Sequence, residues 1–166
     1  MTKRSPIQRM LGVSIPGLLV TIAAWSVCLS IDIFIPIPEM KITFWLSWTL
    51  IAMFGGDLLY LLISSFIQLK KSEWGNKLAT EGPYQFVRHP LYSGLIYSVT
   101  GLIAISQQSW SLLISVLPLS IYWSWLVQRE ERSLVDQFGK RYQDYMKTTG
   151  QFFPSRESLK KVAENN

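Results

Sequence analysis

Apolar residues run along this chain in long blocks without a charge, not in the narrow stripes of a soluble amphipathic helix. From Met10 to Ile31 there are 22 uncharged residues, and a membrane-spanning helix needs about 20 predominantly apolar ones. The block is too long for the apolar part of a cleavable signal peptide, and no small-residue cleavage site follows it. Pro16 lies inside it and predicts a kink near the start of the helix. From Ile42 to Leu69, 28 residues carry one charge, Asp57, and from Pro90 to Gln128, 39 residues carry none. A 39-residue helix would be about 58 Å long against a hydrocarbon core of about 30 Å. That block must turn, and the polar stretch Ser106-Gln107-Gln108-Ser109 predicts helices near 90–106 and 109–128. The pattern therefore predicts an all-α membrane bundle of about four spanning helices.

Composition agrees with the pattern. Of the 166 residues, 49% are hydrophobic and 16% charged, where a soluble domain carries about 25% charged residues. Seven Trp, seven Tyr and eight Phe exclude a disordered chain. Cys28 is the only cysteine, which excludes a disulfide scaffold. His89 is the only histidine, which argues against a histidine-based metal site. The net charge of +5 raises the question of nucleic acid, but the positions of the charges answer it. Fifteen of the sixteen Lys and Arg flank the spans on one side, from Lys3, Arg4 and Arg9, through Lys70 to Arg88, to the tail after Gln128. The other side has only Lys41, near Asp32 and Glu39. Basic flanks face the cytoplasm, so both termini are expected inside, at a cell inner (plasma) membrane. The excess charge suits anionic lipid headgroups, and no nucleic-acid partner is expected.

This topology puts two polar segments on one aqueous face. The first runs from Thr80 through Gly82-Pro83-Tyr84 to Arg88-His89-Pro90, Tyr92 and Gly94. Gly82-Pro83 signals a turn, and Pro90 suits the first residue of a helix. The unpaired N–H groups of that helix start, beside Arg88 and His89, favour an anion such as a carboxylate. A positive-inside anchor followed by a plain turn fits the same spacing. The second segment, from Arg129-Glu130-Glu131-Arg132 to Phe138-Gly139, continues the last span, with Gly139 as a helix C-cap. Tyr142 and Tyr145 then predict a short helix at the membrane surface. Glu130 and Glu131 emerge at the membrane edge, where a carboxylate needs a partner. Arg129, Arg132 and Arg88 are the candidates, in what is otherwise a solvated helix end.

Taken together, these two segments resemble the isoprenylcysteine carboxyl methyltransferase and phospholipid methyltransferase superfamily. The resemblance rests on Gly82-Pro83-Tyr84, Arg88-His89-Pro90, Tyr92 and Gly94, and further on Glu130-Glu131, Leu134, Phe138-Gly139, Tyr142, Tyr145 and Pro154. It covers about 75–154 of a single domain expected over 1–154, with a polar tail at 155–166. It implies an integral membrane enzyme that uses S-adenosylmethionine, with cofactor contacts from Tyr84, Arg88, His89, Tyr92, Gly94, Glu130 and Glu131. Arg88, His89 and the helix start suit the cofactor carboxylate, and Glu130 or Glu131 its ammonium. Tyr84, Phe86 and Tyr92 suit the sulfonium and adenine, and Gly94 allows the cofactor or a neighbouring helix to come close. Without a G-x-G-x-x-G segment, a soluble dinucleotide-type site has no support.

A carboxylate acceptor is ionised at neutral pH and needs no base, whereas a lipid amine must first lose a proton. His89 is the only neutral-pH base near the site, and Arg129 is the candidate for holding an anionic acceptor. The catalytic candidates are therefore Arg129 and His89. The expected partner is a lipophilic or lipid-modified substrate, with carboxyl methylation first and lipid amine N-methylation as the alternative. Thiol methylation, an NADPH-binding membrane reductase and a non-catalytic membrane protein remain further alternatives. Asp57, after Gly55-Gly56, is either a cap on a broken span, an interhelical partner or a functional acid. Trp45, Trp48, Trp110, Trp123 and Trp125 are expected as interfacial anchors, and the chain from Ser155 onward as a frayed tail.

Overall fold

In lipid a single segment can satisfy all its backbone polar groups only as a helix, and the apolar blocks fold accordingly. The computed structural model describes residues 6–35, 37–38, 40–73 and 76–164, with side chains from residue 13 onward. Lys3, Arg4, Glu39 and the side chain of Arg9 lie outside the described residues. Helix α1 covers Pro6–Phe34 and continues through Pro16. Helix α2 covers Phe44–Lys71. Helix α3, Pro90–Ser106, opens with an α-turn, widens to a π-helical segment at Gly94–Val99 and returns to α-helix from Thr100. Helix α4 runs over Trp110–Phe138, ten residues past the uncharged block. Short helices α5 (Lys140–Thr148) and α6 (Arg156–Glu164) follow.

Three of these helices are long and apolar enough to cross a membrane: Val13–Phe34 of α1, Phe44–Lys71 and Trp110–Phe138. The chain is an integral membrane protein. Helix α3 is the shorter one, about 25 Å at 1.5 Å per residue, so the fourth expected span is an apolar helix below full crossing length. At one end of the bundle the α1–α2 connection meets the α3–α4 turn. Ser109 caps α4 by accepting from the Leu112 N–H at 3.0 Å, and it donates to Asp32. Ser111 donates to the other Asp32 oxygen at 2.6 Å. Residues 76–89 and the described chain after α4 share the opposite end. Gly139 ends α4 with φ of +58°, a left-handed conformation that suits glycine. The N–H of Gly139 donates to the Val135 carbonyl at 2.8 Å.

Packing decides one open reading and corrects two expectations. Helix α2 is continuous through Gly55-Gly56, so Asp57 caps no break. Its carboxylate accepts from the Ser98 hydroxyl of α3 at 2.5 Å, the interhelical alternative. Trp123 is no interfacial anchor, because it is 1% exposed. It donates through Nε1 to Thr21 at 2.9 Å and lies 4.7 Å from the Tyr92 ring. Its ring occupies the space above Gly17, where a Cβ would sit 2.3 Å from it. Trp45, Trp48, Trp110 and Trp125 are exposed, as anchors must be. The expected frayed tail instead contains α6, with Ser158 buried. Ser155 starts that helix, its hydroxyl accepting from the Ser158 N–H at 3.0 Å.

Val13, Tyr92, Ile96, Leu119, Trp123, Leu126, Val127 and Phe152 form the core between α1, α3 and α4. Trp123→Ala is expected to cost about 3–5 kcal/mol by leaving a cavity. Trp45→Ala should stay within about 0.5 kcal/mol of wild type. Unfolding of both variants in the same detergent checks the contrast.

Candidate functional site

The site grows from the turn that precedes α3. Gly82, at φ +59°, opens a short 3-10 turn over Gly82–Gln85 that buries Pro83 and Tyr84. The chain then runs beside the segment following α5. Val87 pairs with Gly150 in an isolated parallel bridge. The Arg88 N–H donates to the Gly150 carbonyl at 2.8 Å and the His89 N–H to the Gln151 carbonyl at 3.2 Å. Ser93 donates its hydroxyl to the Phe152 carbonyl at 2.8 Å. This strap fixes Arg88 and His89 from the backbone outward.

Their side chains converge on Glu131. Arg88 Nη2 lies 2.8 Å from Glu131 Oε1, and Nε donates to the same oxygen at 2.9 Å. His89 Nε2 lies 3.2 Å from it. The remaining guanidinium nitrogen, Nη1, donates to the carbonyls of Met146, at 3.2 Å, and Thr149. Charge-assisted bonds of this kind are what make a buried ion pair tolerable. Tyr92 stacks on His89 at 5.6 Å and donates its hydroxyl to Glu130 Oε2 at 3.0 Å. Ser14 of α1 lies 2.9 Å from the same hydroxyl. Tyr145 donates to the Tyr84 carbonyl at 2.6 Å, which locks α5 onto the turn.

These groups line a cleft that is open to solvent at its mouth. Tyr84, Arg88, His89, Tyr92, Glu130 and Tyr142 form its polar wall; Leu69, Leu91, Leu134 and Phe138 contribute apolar surface. Burial pushes the Tyr84, Tyr142 and Tyr145 phenols well above their ordinary pKa. The charge of Glu130 adds to this at Tyr84, that of Glu131 at Tyr142, and Tyr142 itself at Tyr145. All three remain protonated at neutral pH. Among the described residues no cluster of His, Cys, Asp and Glu is placed to hold a metal ion.

Five of the seven candidate cofactor residues thus share the cleft: Tyr84, Arg88, His89, Tyr92 and Glu130. Glu131 lies behind them, holding Arg88 and His89. Gly94 faces α2 instead, where a Cβ would meet Leu61 at 3.4 Å and Leu58 at 3.5 Å. Arg129 also lies outside the lining, exposed, with its guanidinium 5.5 Å over the Trp125 ring. Two contributors were not singled out by the sequence. Tyr142 carries a motif position without an assigned role, and the 149–152 strap has no local signature because its contribution is backbone carbonyls.

Residues 31–141 match the model of the phospholipid methyltransferase family. The chain belongs to that family. The matched stretch contains every candidate residue from Tyr84 to Glu131. The phospholipid methyltransferase family chain is 28% identical over 127 residues to methanethiol S-methyltransferase of Pseudomonas deceptionensis, covering 68% of this chain and 44% of that protein. It is 35% identical over 83 residues to protein-S-isoprenylcysteine O-methyltransferase B of Arabidopsis thaliana, covering 48% and 40%. It is 30% identical over 79 residues to cobalt-zinc-cadmium resistance protein CzcN of Cupriavidus metallidurans, covering 48% and 36%. The chain therefore matches less than half the length of each of these relatives. No solved structure matches it significantly.

Replacing Arg88 with Met leaves Glu131 buried with only His89. This change is expected to destabilise the protein by about 3–5 kcal/mol. The double variant Arg88→Met/Glu131→Gln should recover part of the loss, because the uncompensated charge is gone. Unfolding midpoints of the single and double variants provide the check.

Proposed function

We propose that this protein transfers a methyl group from S-adenosylmethionine to a lipophilic acceptor, at the cytoplasmic face of a cell membrane with both termini inside. The observation that carries the reading is a largely apolar cleft with a carboxylate, Glu130, held in its wall beside tyrosine rings. The chemistry of these residues fits the cofactor. Glu130, oriented by Tyr92, suits an ammonium, and the faces of Tyr84 and Tyr92 suit a sulfonium. His89, positioned by Glu131, and the protonated tyrosines suit polar groups. The bound cofactor supplies a methyl group already activated by positive sulfur. The chain's task is to align the partners and exclude water, for which Leu91, Leu134 and Phe138 provide apolar walls.

For the acceptor, a lipophilic carboxylate of the isoprenylcysteine type remains the first reading, since it needs no base. Arg129 would serve it by leaving Trp125 and turning to the cleft mouth. One observation favours a second reading. Arg88 is engaged by Glu131 and two carbonyls, and Lys77 pairs with Glu73 at the exposed rim. A wall whose cations are already engaged suits a thiol or a lipid amine, with His89 as the group able to take its proton. Transfer of a labelled methyl group to membrane extract, followed by base hydrolysis, separates the readings, because only a methyl ester releases methanol.

Glu130→Gln is expected to weaken S-adenosylmethionine binding at least about tenfold, or about 1.4 kcal/mol, with an unfolding midpoint near wild type. Calorimetric titration of the purified protein tests this, and unchanged affinity removes Glu130 from the site. In the same preparation S-adenosylmethionine should raise the midpoint and NADPH should not; the reverse would point to a reductase.

A further inference from the structure

Most polar groups around the cleft are engaged with one another, and one conspicuous group is not. The Tyr142 hydroxyl is buried and forms no hydrogen bond of normal geometry, although its side chain is 1% exposed and lines the cleft. A buried hydroxyl without a partner is costly, and such groups in otherwise satisfied sites call for an explanation. The other buried orphan among the described residues, Ser65 Oγ, belongs to α2 beside Tyr84 and lies outside the cleft lining. Tyr142 sits on α5, the helix whose last turn and following residue supply the Met146 and Thr149 carbonyls to Arg88. Arg88 lies near enough to donate to its oxygen and the charge of Glu131 acts on it, so the hydroxyl's own proton is the group left without an acceptor.

We infer that the Tyr142 hydroxyl donates to the carboxylate of the methyl donor's amino-acid end, as a ligand-contacting residue. This rests on the proposed function. An α-amino acid carries its ammonium and carboxylate on one carbon, so one cleft must offer both an acid and a donor. Glu130 is the acid, held by Tyr92. Arg88 cannot be the donor without giving up Glu131 or the carbonyls it binds. Tyr142 breaks nothing by donating. A hydroxyl also suits this position better than a second cation would, because it adds no charge beside the Arg88–Glu131 pair. Ligand binding would then fill a hydrogen-bonding vacancy in that wall and draw α5 onto the cleft.

The test uses the full chain in detergent, titrated with S-adenosylmethionine and with 5′-methylthioadenosine, which keeps the adenosine and sulfur but lacks the amino-acid end. Tyr142→Phe is expected to weaken S-adenosylmethionine about tenfold, the size of a hydrogen bond to a charged group. Its affinity for 5′-methylthioadenosine should stay within twofold of wild type. Its unfolding midpoint without ligand should equal or exceed that of wild type, since no bond is lost. Unchanged S-adenosylmethionine affinity overturns the inference, as does equal weakening of both ligands. A lower midpoint in the ligand-free variant also overturns it, by showing a structural hydroxyl. If the wild type binds neither ligand, the proposed function fails and takes this inference with it. Wild-type binding with an indifferent variant defeats the inference alone.

Discussion

Glu131 is a carboxylate withdrawn from water at the end of a membrane helix, and the architecture at that end of the molecule follows from satisfying it. Its side chain is 9% exposed, and that of Arg88 is 10%. Taking such a pair out of water costs several kcal/mol per ion, recovered only when the geometry is good and the remaining donors find partners. Arg88 meets both conditions with two nitrogens on Glu131 and the third on carbonyls at the end of α5. One guanidinium thereby ties the pre-α3 turn to α4 and to the chain after α5. The strap from Gly150 to Phe152, hydrogen-bonded to Arg88, His89 and Ser93, completes the enclosure.

Adjacent acids on one helix receive different tasks from this arrangement. Consecutive residues on an α-helix point about 100° apart, so Glu131 turns to Arg88 and His89 while Glu130 turns to the cleft and Tyr92. Tyr92 links the site to the core: its hydroxyl holds Glu130, one ring contact is His89 and another is Trp123. Trp123 in turn lies over Gly17 and donates to Thr21 of α1. The first helix, remote in sequence from both motifs, thus supports the wall in which the buried acid sits. The route runs through packed rings and directed hydrogen bonds, both of which resist small displacements.

Much of the helical architecture was legible because the membrane imposes a simple length and charge rule. The uncharged blocks, the polar break at 106–109 and the turn at Gly82-Pro83 each mark an element that forms. The α3 segment shows where the rule weakens, since a 17-residue apolar helix satisfies composition but not length. The candidate site was legible as a set of residue types: Tyr84, Arg88, His89, Tyr92 and Glu130 meet in one cleft. Their partners were legible only as alternatives. Arg88 suited an external anion and was also one of three candidate partners for the adjacent acids; its charge is directed to Glu131. Arg129 looked like a second cation for the site, yet a step of one residue from Glu130 turns it to Trp125. Gly94 was open to two neighbours, and Leu58 and Leu61 of α2 are the ones beside it.

Trp123 and the tail make the same distinction from the packing side. A tryptophan near the end of an apolar block reads as an anchor, but the missing side chain at Gly17, a hundred residues away, makes room for it in the core. The polar stretch after Pro154 reads as solvated, but Ser155 starts a helix on which Ser158 is buried. By itself the sequence determined that this is an all-α membrane chain with its chemistry-bearing motifs at one end, because hydrophobic length and charge position are local properties that lipid acts on directly. Tertiary structure alone decided which acid pairs with Arg88, which faces the cleft, and that the Tyr142 hydroxyl lies in its wall with no acceptor for its proton. Those outcomes depend on angles around helices and on contacts across 40 to 100 residues, which no local pattern encodes.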